Sequence, residues 1–149
     1  MYDTIVVGTD GSETASLAVG RAADLAARLG SVLVVVSAYE PVPEERLRRQ
    51  RLETPEELRW MINPREEVDE VLLEARGIAA GRGVRQVETR AVEGEAAAAI
   101  LDVASELGAG LIVVGNVGMS GARRFLIGSV PNRVSHHAPC DVIIARTSA

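Results

Sequence analysis

The residues best placed to do chemistry lie between 115 and 130, where the chain reads GNVGMSGARRFLIGSV. Gly115, Gly118, Gly128 and Ser129 have the spacing G-x2-G-x9-G-S. Glycines admit positive φ and let a ligand approach with no Cβ in the way. Successive backbone N–H groups in such a turn form an anion-binding concavity. Ser129 stands before Val130, where the last helix is expected to begin, and a helix N-terminus favours phosphate. Arg123 and Arg124 could add charge-assisted hydrogen bonds to a phosphate, or they could simply be solvated. Glycines after a strand also mark ordinary turns. The full spacing, the serine and the apolar run just before it together favour a polyphosphate cradle.

Five short aliphatic runs alternate with helical patterns around this loop. Residues 2–8 form the first strand. Asp10, Gly11 and Ser12 make a turn in which Ser12 serves as a helix N-cap. Leu17, Ala18, Ala22, Leu25, Ala26 and Leu29 recur at helical spacing, and Gly30 ends that helix. The second strand is 32–38. Asn63-Pro64-Arg65-Glu66 opens a second helix with Val68, Val71, Leu72, Ala75, Ile78 and Ala79 on one face, closed by Gly81 to Gly83. Residues 86–92 alternate polar and apolar, as an edge strand does. A helix over about 95–107 ends at Gly108. A strand at 111–114, a helix at about 130–137 and a strand at 142–145 complete the chain. Continuous apolar strands with helical crossovers mean a parallel sheet covered on both faces.

Strand one ends Ile5-Val6-Val7-Gly8-Thr9-Asp10-Gly11, and strand four ends Ile112-Val113-Val114-Gly115-Asn116-Val117-Gly118. The shared IVVGxxG predicts two strands that stop in the same way at one edge of the sheet. Ligands of open parallel sheets lie beyond the carboxyl ends of the strands, where the winding direction reverses. Strand order 3-2-1-4-5 would put both glycine loops on that crevice. The fold expected is an α/β three-layer sandwich, Rossmann-like, in one domain over 1–149. A charged, proline-punctuated stretch at about 41–62 is too long for an ordinary connection. Thr54-Pro55-Glu56-Glu57 within it reads as a short capped helix.

Composition removes several function classes. All 16 basic residues are arginine, so no lysine-dependent mechanism is available. The net charge of -5 argues against a general nucleic-acid or membrane-surface binder. The single cysteine, Cys140, allows no intrachain disulfide, and a cytoplasmic protein is the expectation. Residues 1–12 carry no signal-peptide pattern, and no apolar run reaches the ~18 residues of a membrane span.

Other candidates are weaker. Asp10 could serve a metal or cap its own turn by an Asx-type bond; magnesium would arrive with a nucleotide. His136, His137 and Cys140 have no second ligand cluster to make a metal site. Cys140 is expected to behave as a small buried hydrophobe at the start of the last strand. Trp60 and the run Arg46 to Arg51 fall in the charged stretch, as helix packing and a solvated face.

The sequence GNVGMSGARRFLIGSVPNRVSHHAPCDVIIAR, with VVGTDGS after strand one and VSAYEP after strand two, resembles the universal stress protein family over essentially its whole length. The match is to the family's ATP-binding subgroup, for which G-x2-G-x9-G-(S/T) is diagnostic. That resemblance implies a five-stranded parallel sheet, a homodimer paired through the last strand, and a site for ATP or another adenine nucleotide, with Mg. It implies Gly8, Thr9 and Asp10 on the nucleoside side, with Asp10 near ribose and metal, and Ala38 presenting backbone to adenine. It implies Gly115, Asn116, Val117, Gly118, Met119, Ser120 and Gly121 wrapping ribose and phosphates. Gly128, Ser129 and Val130 would close on the phosphates, beside Arg123 and Arg124. Pro131 departs from the commoner polar residue and removes one N–H donor.

The resulting expectation is a nucleotide-binding regulatory module of the stress response, with at most slow ATP hydrolysis and no catalytic residues. The alternatives are an AMP or cyclic-AMP binder, a slow ATPase or adenylyl-transfer enzyme of related fold, or an interaction factor that holds no nucleotide. The loop VGTDGS lacks the SGGxDS pattern of the adenylyl-transfer enzymes.

Overall fold

A computed structural model describes residues 2–39, 64–116 and 129–147. The expected stretch at 41–62, with Thr54, Trp60 and Arg46 to Arg51, lies outside them. So does most of the glycine loop.

The described elements are β1 (Thr4–Gly8), α1 (Glu13–Leu29), β2 (Val32–Tyr39), α2 (Pro64–Gly81), β3 (Val87–Glu93), α3 (Ala96–Leu107), β4 (Leu111–Gly115), α4 (Ser129–His137) and β5 (Asp141–Ala145). All strand pairs are parallel, in the order β3-β2-β1-β4-β5. This is the order expected, and β3 takes the edge.

The apolar period of two along each strand divides the core into two layers. Ile5, Val7, Leu33, Val35, Leu111 and Val113 face α1 and α2, meeting Ala18, Val19, Ala22, Val68, Leu72, Ala75 and Ala79. Val6, Val34, Val36, Ile112 and Val114 face the other way, toward Ile100, Val103 and Ala104 of α3 and Val134 of α4. Each fully buried Val or Ile contributes about 1.5–3 kcal/mol relative to exposure. Alanines on α1 and α3 let both helices lie close to the sheet.

Local signals set the helix ends. The Ala15 N–H donates to the Ser12 Oγ at 3.2 Å, which starts α1. Gly30 (φ 70) and Gly108 (φ 61) adopt the left-handed conformation that terminates α1 and α3. α2 runs through Gly81, and its turn falls at Gly83 with φ 89. α4 begins at Ser129, one residue before the start read from the sequence. No helix among the described residues is long and apolar enough to cross a membrane.

Candidate functional site

β1 and β4 are the central neighbours. From β1 the chain winds through α1 to β2; from β4 it leads toward α4 and β5 on the other side. Their carboxyl ends therefore form the switch point of the sheet. The two IVVG runs lie side by side but not in step: the ladder pairs Val7 with Val113, whereas matching the sequences would equate Val7 with Val114.

The turn after β1 is held by its own side chains. Thr9 is 2% exposed; its N–H donates to Val36 O at 2.9 Å, and its Oγ1 accepts the Gly11 N–H at 3.1 Å. Asp10 Oδ1 accepts the Ser12 N–H at 2.9 Å, the Asx-type bond expected of it. Gly11 has φ +82, and a Cβ there would stand 2.7 Å from Val71 Cγ2. The turn and α2 thus touch, and the chain needs glycine where they do.

Beneath this contact opens a cleft of about 260 Å³. Asp10, Ser37, Ala38 and Tyr39 line it on the strand side, and Glu67, Val68 and Val71 on the helix side. Ser37 is 2% exposed. It lies two residues beyond Val35, so it shares the strand face that looks toward α1 and α2. No enclosed side-chain polar atom among the described residues lacks a hydrogen bond. The Ser37 hydroxyl, which has no partner among those residues, therefore opens on the cleft. Among the described residues the lining includes two carboxylates and no arginine.

At the end of β4, the Asn116 N–H donates to Ala145 O at 2.8 Å. Asn116 Oδ1 accepts both the Thr147 N–H at 2.8 Å and the Thr147 hydroxyl at 3.1 Å. The side-chain oxygen of a residue expected at the ligand therefore holds the segment after β5. Ser129 is exposed in the first turn of α4, and Val130 packs partly against the α3 layer.

Of the residues named from the sequence, Asp10 and Ala38 line the cleft and Gly8 and Thr9 lie directly beside it. Gly115 and Asn116 end the neighbouring strand, and Ser129 and Val130 begin α4. Val117, Gly118, Met119, Ser120, Gly121, Arg123, Arg124 and Gly128 fall outside the described residues. Ser37, Tyr39, Glu67, Val68 and Val71 were not anticipated. Val68 and Val71 read as core because their spacing is that of a buried helix face. The one available signal for Ser37 was a serine inside the aliphatic run VLVVVSAY.

The described residues hold no group of three or more His, Cys, Asp or Glu able to bind a metal. His136 and His137 sit in the last turn of α4, both exposed. Cys140 is half-buried just before β5, and burial together with the neighbouring Asp141 charge pushes its thiol up.

Comparison with known proteins decides the family. The model of the universal stress protein family matches residues 1–146. The chain belongs to the universal stress protein family. A universal stress protein of Mycobacterium tuberculosis is 37% identical over 147 residues, spanning 99% of this chain and 98% of the relative. Among solved structures, a universal stress protein in complex with cAMP is 35% identical, with a TM-score of 0.74 over 99% of this chain and 98% of its own. A universal stress protein from Archaeoglobus fulgidus in complex with dAMP is 26% identical, with a TM-score of 0.69 over 96% of this chain and 97% of its own.

Proposed function

We propose that this universal stress protein binds an adenine nucleotide at the carboxyl ends of β1, β2 and β4 and acts as a regulatory module of the stress response. The observation that carries the reading is the cleft at the carboxyl end of β2, which Asp10 of the β1–α1 turn, Ser37 and Ala38 help to line. Two related structures hold adenine nucleotides, cAMP and dAMP. At about 260 Å³ the cleft is just below the ~300–1,000 Å³ of ligand pockets, a size suited to part of a nucleotide.

The intact G-x2-G-x9-G-S spacing favours ATP, with phosphates on residues 115–121, 123–124 and 128–130. Magnesium would come with the nucleotide and meet the protein at Asp10. The relative with cAMP, at 35% identity, favours a second reading in which a cyclic monophosphate is the ligand. ATP binding would favour one conformation by mass action, and any hydrolysis would fall far below the ~1–10³ s⁻¹ of ordinary enzymes.

The same reading makes 1–149 one domain of a cytoplasmic protein that is not a nucleic-acid binder, and a homodimer through the last strand. β5 is an edge strand with Ile143 41% and Ile144 37% exposed, and an unpaired edge is a template for another chain.

Calorimetry with ATP, AMP and cyclic AMP, with and without Mg²⁺, tests the reading on wild type and Gly118→Glu. Saturable binding lost in the variant is expected. Equal binding by both proteins would sink the site assignment, and the ranking of the three ligands separates the ATP and cyclic-AMP readings.

A further inference from the structure

A second cavity, of about 330 Å³, lies at the opposite pole of the sheet, ahead of the amino ends of β2 and β3. The last turn of α1 supplies Arg28, Leu29 and Gly30 to its wall, and the turn between α2 and β3 supplies Gly83 and Arg85. Gly30 and Gly83 both adopt positive φ, and a Cβ on either would meet nothing within 4 Å, so the wall is open at both. Arg21, Arg76, Arg82, Arg90 and Arg133 each bond or pair with a protein oxygen. Arg28, Arg85 and Arg146 have no such partner among the described residues, and the first two line this one cavity. No carboxylate is among its described lining residues. In a chain of net charge -5, two uncompensated guanidinium groups on one cavity favour an anion there.

We infer that this cavity binds a phosphate group, as free phosphate or a small phosphate ester, at a site separate from the nucleotide cleft. A guanidinium presents a planar fork that takes two oxygens at once. One fork already saturates a carboxylate. Two forks call for a group with more oxygens, and phosphate offers at least three. The cavity also meets the carboxyl ends of α1 and α2, whose partial negative charge weakens an anion by at most about fivefold each. Charge-assisted hydrogen bonds strengthen it by about tenfold or more apiece, so the arginines prevail. Both arginines are exposed, so solvent screens them and the expected Kd is about 1 mM. The Gly30 and Ser31 N–H groups both go to Ala26 O. The last carbonyls of α1 therefore have no intrahelical donor and can accept a ligand hydroxyl.

The test is a proton–nitrogen NMR titration of the full chain, following the Nε–Hε signals of Arg28 and Arg85 and the backbone N–H of Gly83. The probes are inorganic phosphate, glycerol 3-phosphate and acetate, with ionic strength held constant by chloride. Saturable shifts at all three residues are expected with both phosphates, and acetate is expected to bind at least about tenfold more weakly. Arg28→Gln and Arg85→Gln should each weaken phosphate about three- to tenfold, and the double variant should lose saturation. The same spectra check that the variants keep their fold. Tighter binding of glycerol 3-phosphate assigns the cavity to phosphate esters, and equal affinity assigns it to free phosphate. Shifts that never saturate, or shifts confined to residues 8–10 and 115–130 at the other pole, overturn the inference. So does acetate binding as tightly as phosphate, or a double variant that binds phosphate as wild type does.

Discussion

Gly11 and Val71 touch: a Cβ on Gly11 would lie 2.7 Å from Val71 Cγ2, at a backbone φ of +82. Alanine at 11 meets two separate costs. The left-handed backbone costs a non-glycine residue roughly 1–2 kcal/mol, and overpacking costs about 1–3 kcal/mol. Gly11→Ala is expected to lose about 2–5 kcal/mol in urea unfolding. Val71→Ala should remove the steric part and leave the backbone part. A double-variant cycle with no coupling would show that the contact is not what limits residue 11.

Arg82 covers Gly20 of α1 and bonds Asp24 one turn further on, Nη1 to Oδ2 at 2.7 Å. An alanine Cβ at 20 would meet Arg82 Nη2 at 3.1 Å. That atom ends a flexible side chain about half exposed, so it can move. The exposed ion pair is worth at most about 1 kcal/mol, and Gly to Ala inside a helix gains about 1 kcal/mol. Gly20→Ala is therefore expected to leave stability unchanged or raise it slightly. A clear fall in melting temperature would mean that Arg82 cannot yield.

The Tyr2 hydroxyl donates to Asp141 Oδ2 at 2.8 Å, joining the N-terminal segment to the start of β5. That hydrogen bond, with lesser contributions from burial and the Asp141 charge, raises the phenol above its ordinary value of 10.0. The bond needs the protonated phenol. Its stabilisation is thus complete below pH 10 and fades as pH rises through the raised value. Tyr2→Phe should be less stable than wild type near neutral pH, with the gap closing in strong alkali. A gap independent of pH would remove the hydrogen bond as its cause.

Asn116 Oδ1 is the shared acceptor for the Thr147 N–H and hydroxyl. Asn116→Ala leaves both donors to find other partners and is expected to cost about 1–2 kcal/mol. Thr147→Val removes only the hydroxyl bond and should cost less. Amide exchange at Thr147 should speed up in Asn116→Ala and stay near wild type in Thr147→Val. Unchanged exchange in both would show that the bond does not hold the segment.

Much of this fold was legible in the sequence. Ser12, Gly30 and Gly108 act within a turn of where they stand, so their caps could be read directly. Valine and isoleucine runs named the strands, and the IVVG echo suggested that β1 and β4 stop at one edge of the sheet, where they are in fact neighbours. Asp10 and Ala38, which the family resemblance named, both line the cleft. The remainder of the cleft was not legible. Val68 and Val71 obey the spacing of core residues, and nothing local says that they also line a cleft.

Sequence alone thus determined the elements and their caps, because hydrophobic period and turn chemistry act over a few residues, and it suggested the strand order that the sheet adopts. Tertiary structure decided what those elements present. It offset the ladder so that Val7 meets Val113, turned Ser37 toward α2, and set Gly11 against Val71. It also engaged Asn116 with Thr147, 31 residues away. Each of these depends on how distant segments pack, and packing depends on shape complementarity that no local pattern records.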